Sequence, residues 1–179
     1  MRRKIKMKNV IWMLTIFSIA SATTMLPMSI EELTDRSSLI IKGTVASIDA
    51  YKNEETGVIN SKVSIIPEEV LKGQLPSNAQ VVVIVWGGTV GDLTMYVPGA
   101  PEFNEGERVL LFLNDFNGEK HVVGLAQGKF SIVETEEGVK AVRDIGDIYF
   151  VTKEGKEIDL RNSYYLNELI NIIKGRKNQ

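Results

Sequence analysis

The stretch HVVGLAQGKFSI, residues 121–132, contains the single histidine of the chain, His121. Catalysis by a nucleophilic serine or cysteine normally needs a histidine to carry the proton, so His121 is the residue on which such a site would depend. It lies just after the hairpin signal Asn117-Gly118, at the predicted start of a strand. This position is typical of a surface or partly buried strand histidine. We therefore predict no catalytic residue.

The same stretch also contains two glycines and a lysine, Gly124, Gly128 and Lys129. Glycine inside a strand indicates a bend or the close approach of another backbone. We interpret both glycines in this way and not as ligand contacts. We expect Lys129 to be a solvated charge at a strand edge.

The residue types give little support to a metal or cofactor site. Zinc sites use cysteine and histidine ligands, and the chain has no cysteine. The glycine-rich segment 87–94 lacks the lysine and the following helix of a phosphate-binding loop. A loose carboxylate site from Asp144 and Asp147 stays open. Our prediction is nonetheless no metal and no cofactor.

Acidic residues occur in adjacent pairs at Glu54/Glu55, Glu68/Glu69 and Glu136/Glu137. A glycosidase needs two carboxylates about 5–10 Å apart across a cleft. Neighbouring residues of a strand point to opposite faces, so these pairs do not supply that geometry. We interpret them as solvated acids in turns.

The longest turn-rich segment, residues 87–103, is the candidate binding loop. It is flanked by three aromatic residues and contains one acid, which together are the predicted ligand-binding residues: Trp86, Asp92, Tyr96 and Phe103. Barrels of the OB type bind ligands on one strand face and its adjoining loops. The alternative, that these aromatic side chains belong to the core, stays open.

The elements that must position these residues are mostly strands. Ser29 with Glu32 fits a capping box, which predicts a short helix over 30–37. The apolar phase slips by one residue near Gly43–Ala46, which predicts a bulge in a long first strand. We predict strands at 39–51, 59–71 (with Pro67 at a bulge or edge), 80–86, 93–97, 108–114 and 121–132.

The chain after residue 132 is predicted to add two hairpins and a helix to these strands. A small hairpin turns at Glu137-Gly138, and a further hairpin is predicted within 148–160. Apolar residues spaced three and four apart predict an amphipathic helix over 163–174, capped by Ser163 and ended by Gly175. The expected fold is mainly β: a five-stranded OB-like closed barrel with a short N-terminal helix, an extra hairpin and a C-terminal amphipathic helix.

The first 22 residues have the order of a secretory signal. Five basic residues and no acid precede an uncharged apolar run of 11, and Ala20 and Ala22 follow as a small-x-small cleavage pattern. The run is shorter than a membrane span needs. We predict cleavage near Ala22, a single domain over 23–179, and a secreted or periplasmic protein with no stable membrane span.

Charge and cysteine usage narrow the partners. Removing the five N-terminal basic residues from the 21 in the chain leaves 16 against 23 acids, a net charge near −7. A nucleic-acid binder needs a basic footprint, so nucleic acid is not expected as a partner. The lack of cysteine means that no disulfide stabilises the exported chain.

The order of motifs resembles a module of exported bacterial proteins that is similar to the netrin-like domain and the tissue inhibitors of metalloproteinases. The resemblance covers about 39–132 and rests on GTV in the first strand, EVLKG ending the second, FNEGERVLLFL for the fourth and VGLAQGKF for the fifth. It implies an OB-like barrel. Those inhibitors chelate zinc through an N-terminal cysteine, which this chain lacks, so their mechanism does not transfer.

The sequence therefore predicts a secreted, non-catalytic binding module that recognises a protein or a cell-envelope ligand. An exported protease inhibitor acting through the 87–103 loop is the alternative, on fold resemblance alone. A hydrolytic enzyme is the remote alternative, because no constellation passes the geometric requirements.

Overall fold

The computed structural model describes residues 23–146, 148–151 and 161–177, and the predicted signal segment lies outside them. The described residues form a mainly β structure, as the sequence predicts. Its strands are β1 (Thr23–Met25), β2 (Leu39–Lys52), β3 (Ile59–Lys72), β4 (Val81–Trp86), β5 (Gly88–Val90), β6 (Leu93–Met95), β7 (Arg108–Phe116), β8 (Glu119–Val122), β9 (Lys129–Thr135), β10 (Gly138–Val142), β11 (Ile148–Phe150) and β12 (Ser163–Tyr165). Its helices are α1 (Ile30–Arg36), a 3-10 helix (Leu125–Gly128) and α2 (Leu166–Lys177).

Helix α1 begins where the sequence predicts. The Ser29 hydroxyl accepts from the Glu32 N–H at 3.2 Å, and the Glu32 carboxylate accepts from the Ser29 N–H at 3.2 Å. This capping box satisfies two backbone donors that the first turn of a helix leaves open. Met28 and Leu33 on either side of it are both buried, which is the placement of a hydrophobic staple.

Strands β2 and β3 form one long antiparallel pair with three shifts of register. One shift leaves Ala46 unpaired between Val45 and Ser47, which confirms the bulge predicted from the apolar phase. Another leaves Glu68 unpaired, because Lys42 pairs with Glu69 and Gly43 with Pro67. The predicted irregularity at Pro67 is therefore present.

The main sheet contains eight strands in the order β12-β10-β9-β7-β2-β3-β4-β8, and β8 also pairs with β7. Five of the strands (β7, β2, β3, β4 and β8) are thus connected by pairings that return to β7. The weakest link is between β4 and β8, a parallel pairing through the one register position Val83–Lys120. Strands β5 and β6 form a separate short hairpin, and β1 pairs with β11 in parallel.

Buried side chains among the described residues form two clusters on opposite sides of the sheet. One is formed by residues of the five connected strands and includes Val63, Val83 and Leu111. The other packs α1 and α2 against the other face of the sheet, around Phe112 and Phe130. Alternating residues of β7 enter different clusters, which explains why its sequence is apolar on both faces.

The segment HVVGLAQGKFSI is not one strand, contrary to the prediction. Strand β8 ends at Val122, the 3-10 helix follows, and β9 begins at Lys129. Gly124 precedes the 3-10 helix with φ of +67°, in the left-handed region that favours glycine. A side chain at Gly128 would meet the Val123 carbonyl oxygen, so this glycine permits the close backbone approach that the sequence predicts.

The C-terminal helix begins later and ends later than predicted, at 166–177 instead of 163–174. Ser163 does not cap it, because Ser163–Tyr165 pairs with β10, and the helix continues through Gly175. Its apolar stripe is as predicted, with Leu169 and Ile173 fully buried. The predicted hairpin over 148–160 falls largely outside the described residues, and its first part pairs with β1 instead. No helix in the described ranges is both long and apolar enough to cross a membrane.

Candidate functional site

An apolar cavity of about 380 Å³ lies beside the ends of β4 and β8, two neighbouring strands that pair at the register position Val83–Lys120. This size is within the range of ligand pockets, roughly 300–1,000 Å³. We call it the β4–β8 groove, and it is lined by Ile84, Val85, Trp86, Ala100, Pro101, Asn114, Phe116, His121, Val122, Gly124 and Leu125.

The groove is lined in part by consecutive residues of two neighbouring strands. Consecutive residues of β4, Ile84 to Trp86, line one side, although their side chains alternate between the two faces of the sheet. The consecutive residues His121 and Val122 of β8 line the other side. Residues of both strands, together with the segments 100–101 and 124–125, therefore surround the cavity.

Aromatic side chains form the outer rim of the groove. Trp86 is 49% exposed and Phe116 is 62% exposed. The His121 ring lies between them, with its centroid 6.3 Å from that of Trp86 and 6.0 Å from that of Phe116. The Nε2 atom of His121 is 3.7 Å from Glu119 Oε2. Exposed aromatic residues in a cluster mark interaction sites more often than single exposed apolar residues do.

The four predicted binding residues do not line one common cavity. Trp86 lines the β4–β8 groove and also a neighbouring cavity of about 280 Å³. Tyr96 and Phe103 line only the neighbouring cavity of these two, where Phe103 also packs against the interior core cluster. Asp92 is exposed in the turn between β5 and β6 and lines neither cavity.

Sequence reasoning missed Phe116 and His121 as rim residues. Both belong to the β7–β8 hairpin, where Phe116 pairs with Glu119 and Asn114 with His121. The hairpin signal at Asn117-Gly118 places these two side chains near each other. The position of the β7–β8 hairpin beside Trp86, however, follows from the long-range pairing of β4 with β8.

Backbone strain is concentrated at one end of the groove. Leu125 has φ of +56°, directly after Gly124. The left-handed region is unfavourable for a bulky side chain and costs on the order of 1–3 kcal/mol. The following turn is fixed by the buried amide of Gln127, which accepts from the Met28 N–H at 2.8 Å and donates to the Leu26 carbonyl at 3.3 Å. Such strain tends to occur at binding sites.

Lys129 is buried, contrary to the prediction of a solvated edge charge. It is 8% exposed, and its Nζ donates to Glu107 Oε1 at 2.5 Å and to Ser131 Oγ at 2.9 Å. The Ser131 hydroxyl in turn donates to Glu107 Oε1 at 2.5 Å. The Phe103 ring covers the ammonium group, 5.3 Å from its centroid.

This Lys129–Glu107–Ser131 cluster has the composition of a serine–lysine catalytic pair but a different arrangement. A lysine that activates serine must accept a proton. Here Lys129 Nζ donates to the Glu107 carboxylate and to Ser131 Oγ, and the Ser131 hydroxyl donates to the carboxylate and not to the lysine. The cluster is therefore a hydrogen-bonded ion pair that anchors the start of β7 to β9.

The acid pair Glu68/Glu69 lies in β3 and not in a turn. Its two side chains also do not point to opposite faces of the sheet, contrary to the prediction. The bulge at Glu68 interrupts the alternation, so both carboxylates lie near Lys42, at 3.8 and 3.3 Å. Burial alone would raise the pKa of Glu68, but hydrogen bonds from Arg108 and Thr44 and the nearby positive charges hold it below its usual value. The pair forms an ionic network and not a catalytic dyad.

The described residues contain no group of three or more side chains placed to hold a metal ion. Asp144 is exposed and accepts from the Gly146 N–H at 3.2 Å. Asp147, its partner in the loose carboxylate site, lies outside the described residues.

Comparison with known proteins does not assign the chain. No family model matches it, and no curated protein matches it. Its function must therefore be inferred from the groove and its surroundings.

Proposed function

We propose that the protein is an exported, non-catalytic binding module that recognises a protein or cell-envelope ligand through the β4–β8 groove. The observation that carries the proposal is a ligand-sized apolar cavity with exposed Trp86 and Phe116 on its rim. Full burial of a large apolar side chain contributes on the order of 1.5–3 kcal/mol, and because Trp86 and Phe116 are only about half exposed, covering each of them contributes on the order of 1 kcal/mol. A ligand that covers them recovers that free energy.

The proposed architecture is an OB-like closed barrel formed by β7, β2, β3, β4 and β8. Its support is the series of pairings that returns from β8 to β7 and the apolar cluster between these strands. The netrin-like resemblance is consistent with such a barrel. In this view the groove is the place where the barrel is least tightly closed.

The arrangement of polar side chains favours binding over catalysis. His121 contacts Glu119 and two aromatic rings, and no serine lines the groove with it. The hydroxyl of Ser131 is held by an ion pair and belongs to another part of the sheet. The N-terminal pattern of residues 1–22 supports export.

A capture experiment with point variants tests the proposed site. Exported protein is immobilised, incubated with culture supernatant and envelope extract, and its retained ligand is quantified. Trp86→Ala and Phe116→Ser should each lower retention at least about tenfold, as expected for central aromatic contacts. The matched control is Ile66→Ser, because Ile66 is also half exposed (51%) but lines a different cavity. Equal retention by all variants would refute the site.

The exposed β5–β6 hairpin supports the second candidate, a protease inhibitor. Leu93 and Tyr96 are both more than half exposed on or beside this hairpin, and Thr89 and Thr94 bond across it at 2.9 Å. A short braced hairpin can present side chains to the cleft of a protease. The double variant Leu93→Ser/Tyr96→Ser should abolish inhibition measured against metallo- and serine proteases. Absence of inhibition by the unaltered protein at about micromolar concentration removes this candidate.

A further inference from the structure

We propose that the ligand of the β4–β8 groove is a linear oligosaccharide that continues from the groove through two adjoining cavities. The inference rests on the proposed function and specifies its ligand class. It starts from the way in which these cavities adjoin one another, which the groove alone does not explain.

Three cavities meet at the residues Ala100 and Pro101, which line all of them. Trp86 borders both the groove and the neighbouring cavity of about 280 Å³, which we call the middle cavity. Tyr96 and Glu102 border both the middle cavity and a third cavity, also of about 280 Å³. Each cavity is near the lower end of the range for ligand pockets, roughly 300–1,000 Å³. Each is therefore suited to one small unit of a longer ligand.

An exposed aromatic side chain stands at each of the two junctions between these cavities. Trp86, at the first junction, is 49% exposed, and Tyr96, at the second, is 61% exposed. A sugar ring has a face of C–H groups, which packs on the flat face of an aromatic side chain, and an edge of hydroxyls, which needs polar partners. Aromatic rings at successive junctions match successive sugar units of a chain better than they match a single apolar group.

The third cavity, which we call the polar cavity, is built on the Lys129–Glu107–Ser131 cluster. All three side chains line it, and the hydrogen bonds between them hold their polar groups in place. The Lys129 side chain is only 9% exposed. Polar groups that are already positioned lose little conformational freedom when a ligand binds, so this part of the cavity is prepared for a hydrogen-bonding ligand.

Three exposed side chains, Glu102, Asn104 and Asp144, add further polar groups to the lining of the polar cavity. Across the part of the chain that the structure describes, the Glu102 carboxylate accepts no hydrogen bond and forms no ion pair. A hydroxyl both donates and accepts, so sugar hydroxyls can donate to the carboxylates and accept from the Asn104 amide. The described lining has three carboxylates against the one ammonium of Lys129, which favours a glycan without acidic groups.

The test asks whether the captured ligand is a glycan and how long a chain it needs. The probe is the polysaccharide fraction of the envelope extract, freed of protein by protease digestion. Partial acid hydrolysis of this fraction gives fragments from disaccharides to octasaccharides, which are labelled at the reducing end and separated by size. Their binding to the exported protein is measured by fluorescence anisotropy.

Two variants and two matched controls test the cavities beyond the groove. Tyr96→Ser removes the aromatic ring at the second junction, and Glu102→Ala removes the carboxylate that borders the middle and polar cavities. The controls are Tyr165→Ser, because Tyr165 is also about half exposed (49%), and Glu55→Ala, because Glu55 is also an exposed acid. Neither control residue lines any of the three cavities.

We expect retention of the envelope ligand to survive protease digestion. Octasaccharides should bind at least about tenfold more tightly than disaccharides, because linked units occupy adjoining cavities together. Tyr96→Ser should weaken octasaccharide binding about tenfold, and Glu102→Ala should weaken it about fivefold through the loss of hydrogen bonds. Both control variants should bind as the unaltered protein does.

Three results would overturn the inference: loss of retention after protease digestion, equal binding of disaccharides and octasaccharides, or equal effects of Tyr96→Ser and Tyr165→Ser. If retention from the undigested extract still depends on Trp86 in these cases, the proposed function stands and only the ligand class is wrong. If the unaltered protein retains nothing, or if its retention does not depend on Trp86, both proposals fail.

Discussion

Removing Glu107 should destabilise the fold more than removing Lys129, although the two side chains form one ion pair. Without Glu107, the buried ammonium of Lys129 keeps only Ser131 Oγ and the Phe103 ring. Without Lys129, the Glu107 carboxylate still accepts from Ser131 Oγ at 2.5 Å and from the Asn104 N–H at 3.0 Å. The two deletions therefore leave very different groups unsatisfied.

The magnitudes follow from burial. The Lys129 side chain is 9% exposed and that of Glu107 is 15% exposed, so solvent replaces little of the lost interaction. Breaking a buried pair from one side costs about 3–5 kcal/mol, which we expect for Glu107→Leu. We expect about 1–2 kcal/mol for Lys129→Met, since the remaining acceptor keeps its donors. The double variant should be less destabilised than the sum by about 1–3 kcal/mol.

Urea unfolding followed by far-ultraviolet circular dichroism and by tryptophan fluorescence measures these differences. The free energy of unfolding is extrapolated to water for the unaltered chain, both single variants and the double variant. Losses below about 1 kcal/mol for Glu107→Leu, or strict additivity in the double variant, would show that the cluster is solvated. The interpretation of Lys129 as a buried structural charge would then be wrong.

Three further predictions concern the stability of the fold. The pKa of Glu68 is lowered from 4.5 in the folded state, so its contribution is present above pH 4.5 and is lost as the pH falls through the folded value. Glu68→Gln should therefore be less stable than the unaltered chain at pH 7, and the difference in unfolding free energy should close in acid; a constant difference would contradict this. Gly128→Ala should destabilise the protein by more than about 2 kcal/mol, because the added carbon meets the Val123 carbonyl oxygen. Gly175→Ala should stabilise it by about 0.5–1 kcal/mol, because Gly175 lies in α2 with open space around it; thermal unfolding that ranks these two variants in the opposite order would contradict the packing described.

Local signals in the sequence predict much of this fold. The slip in apolar phase predicts the bulge at Ala46, and the capping pattern predicts the start of α1. These features depend on residues only a few positions apart, so the order of residue types along the chain is enough to predict them. The bounds of β2, β3, β4 and β7 are predicted to within two residues for the same reason.

Features that depend on distant contacts are not predicted. The bulge at Glu68 turns an alternating acid pair into one ionic network with Lys42 on the neighbouring strand. The burial of Lys129 depends on Glu107, 22 positions away. The segment with Gly124 resembles a continuous strand in sequence, but its turn is held by distant contacts: residues 26–28 bond to the Gln127 amide, and the Ala126 N–H donates to the Gly99 carbonyl.

One residue of the candidate site is predicted from the sequence, and two are not. Trp86 is identified because it begins a long turn-rich segment. Phe116 and His121 are missed because they come from a hairpin elsewhere in the chain. The groove is formed where β4, the β7–β8 hairpin and the segments 100–101 and 124–125 meet, and no local pattern encodes which distant segments meet.

The most direct test of the central claim is the hydrogen exchange of individual backbone amides, measured by NMR with and without the captured ligand. The Gly87 N–H donates to the Ile59 carbonyl and Val85 pairs with Ser61 in the same register, so the Val85 N–H faces β3 and the Trp86 N–H faces away from it. In the free protein the Trp86 N–H should therefore exchange much faster than the Val85 N–H. Ligand binding should slow exchange at Trp86 and Val122 and leave Val85 unchanged. Equal protection of Trp86 and Val85 in the free protein, or no change at Trp86 on binding, would contradict the assignment of the β4–β8 groove as the binding site.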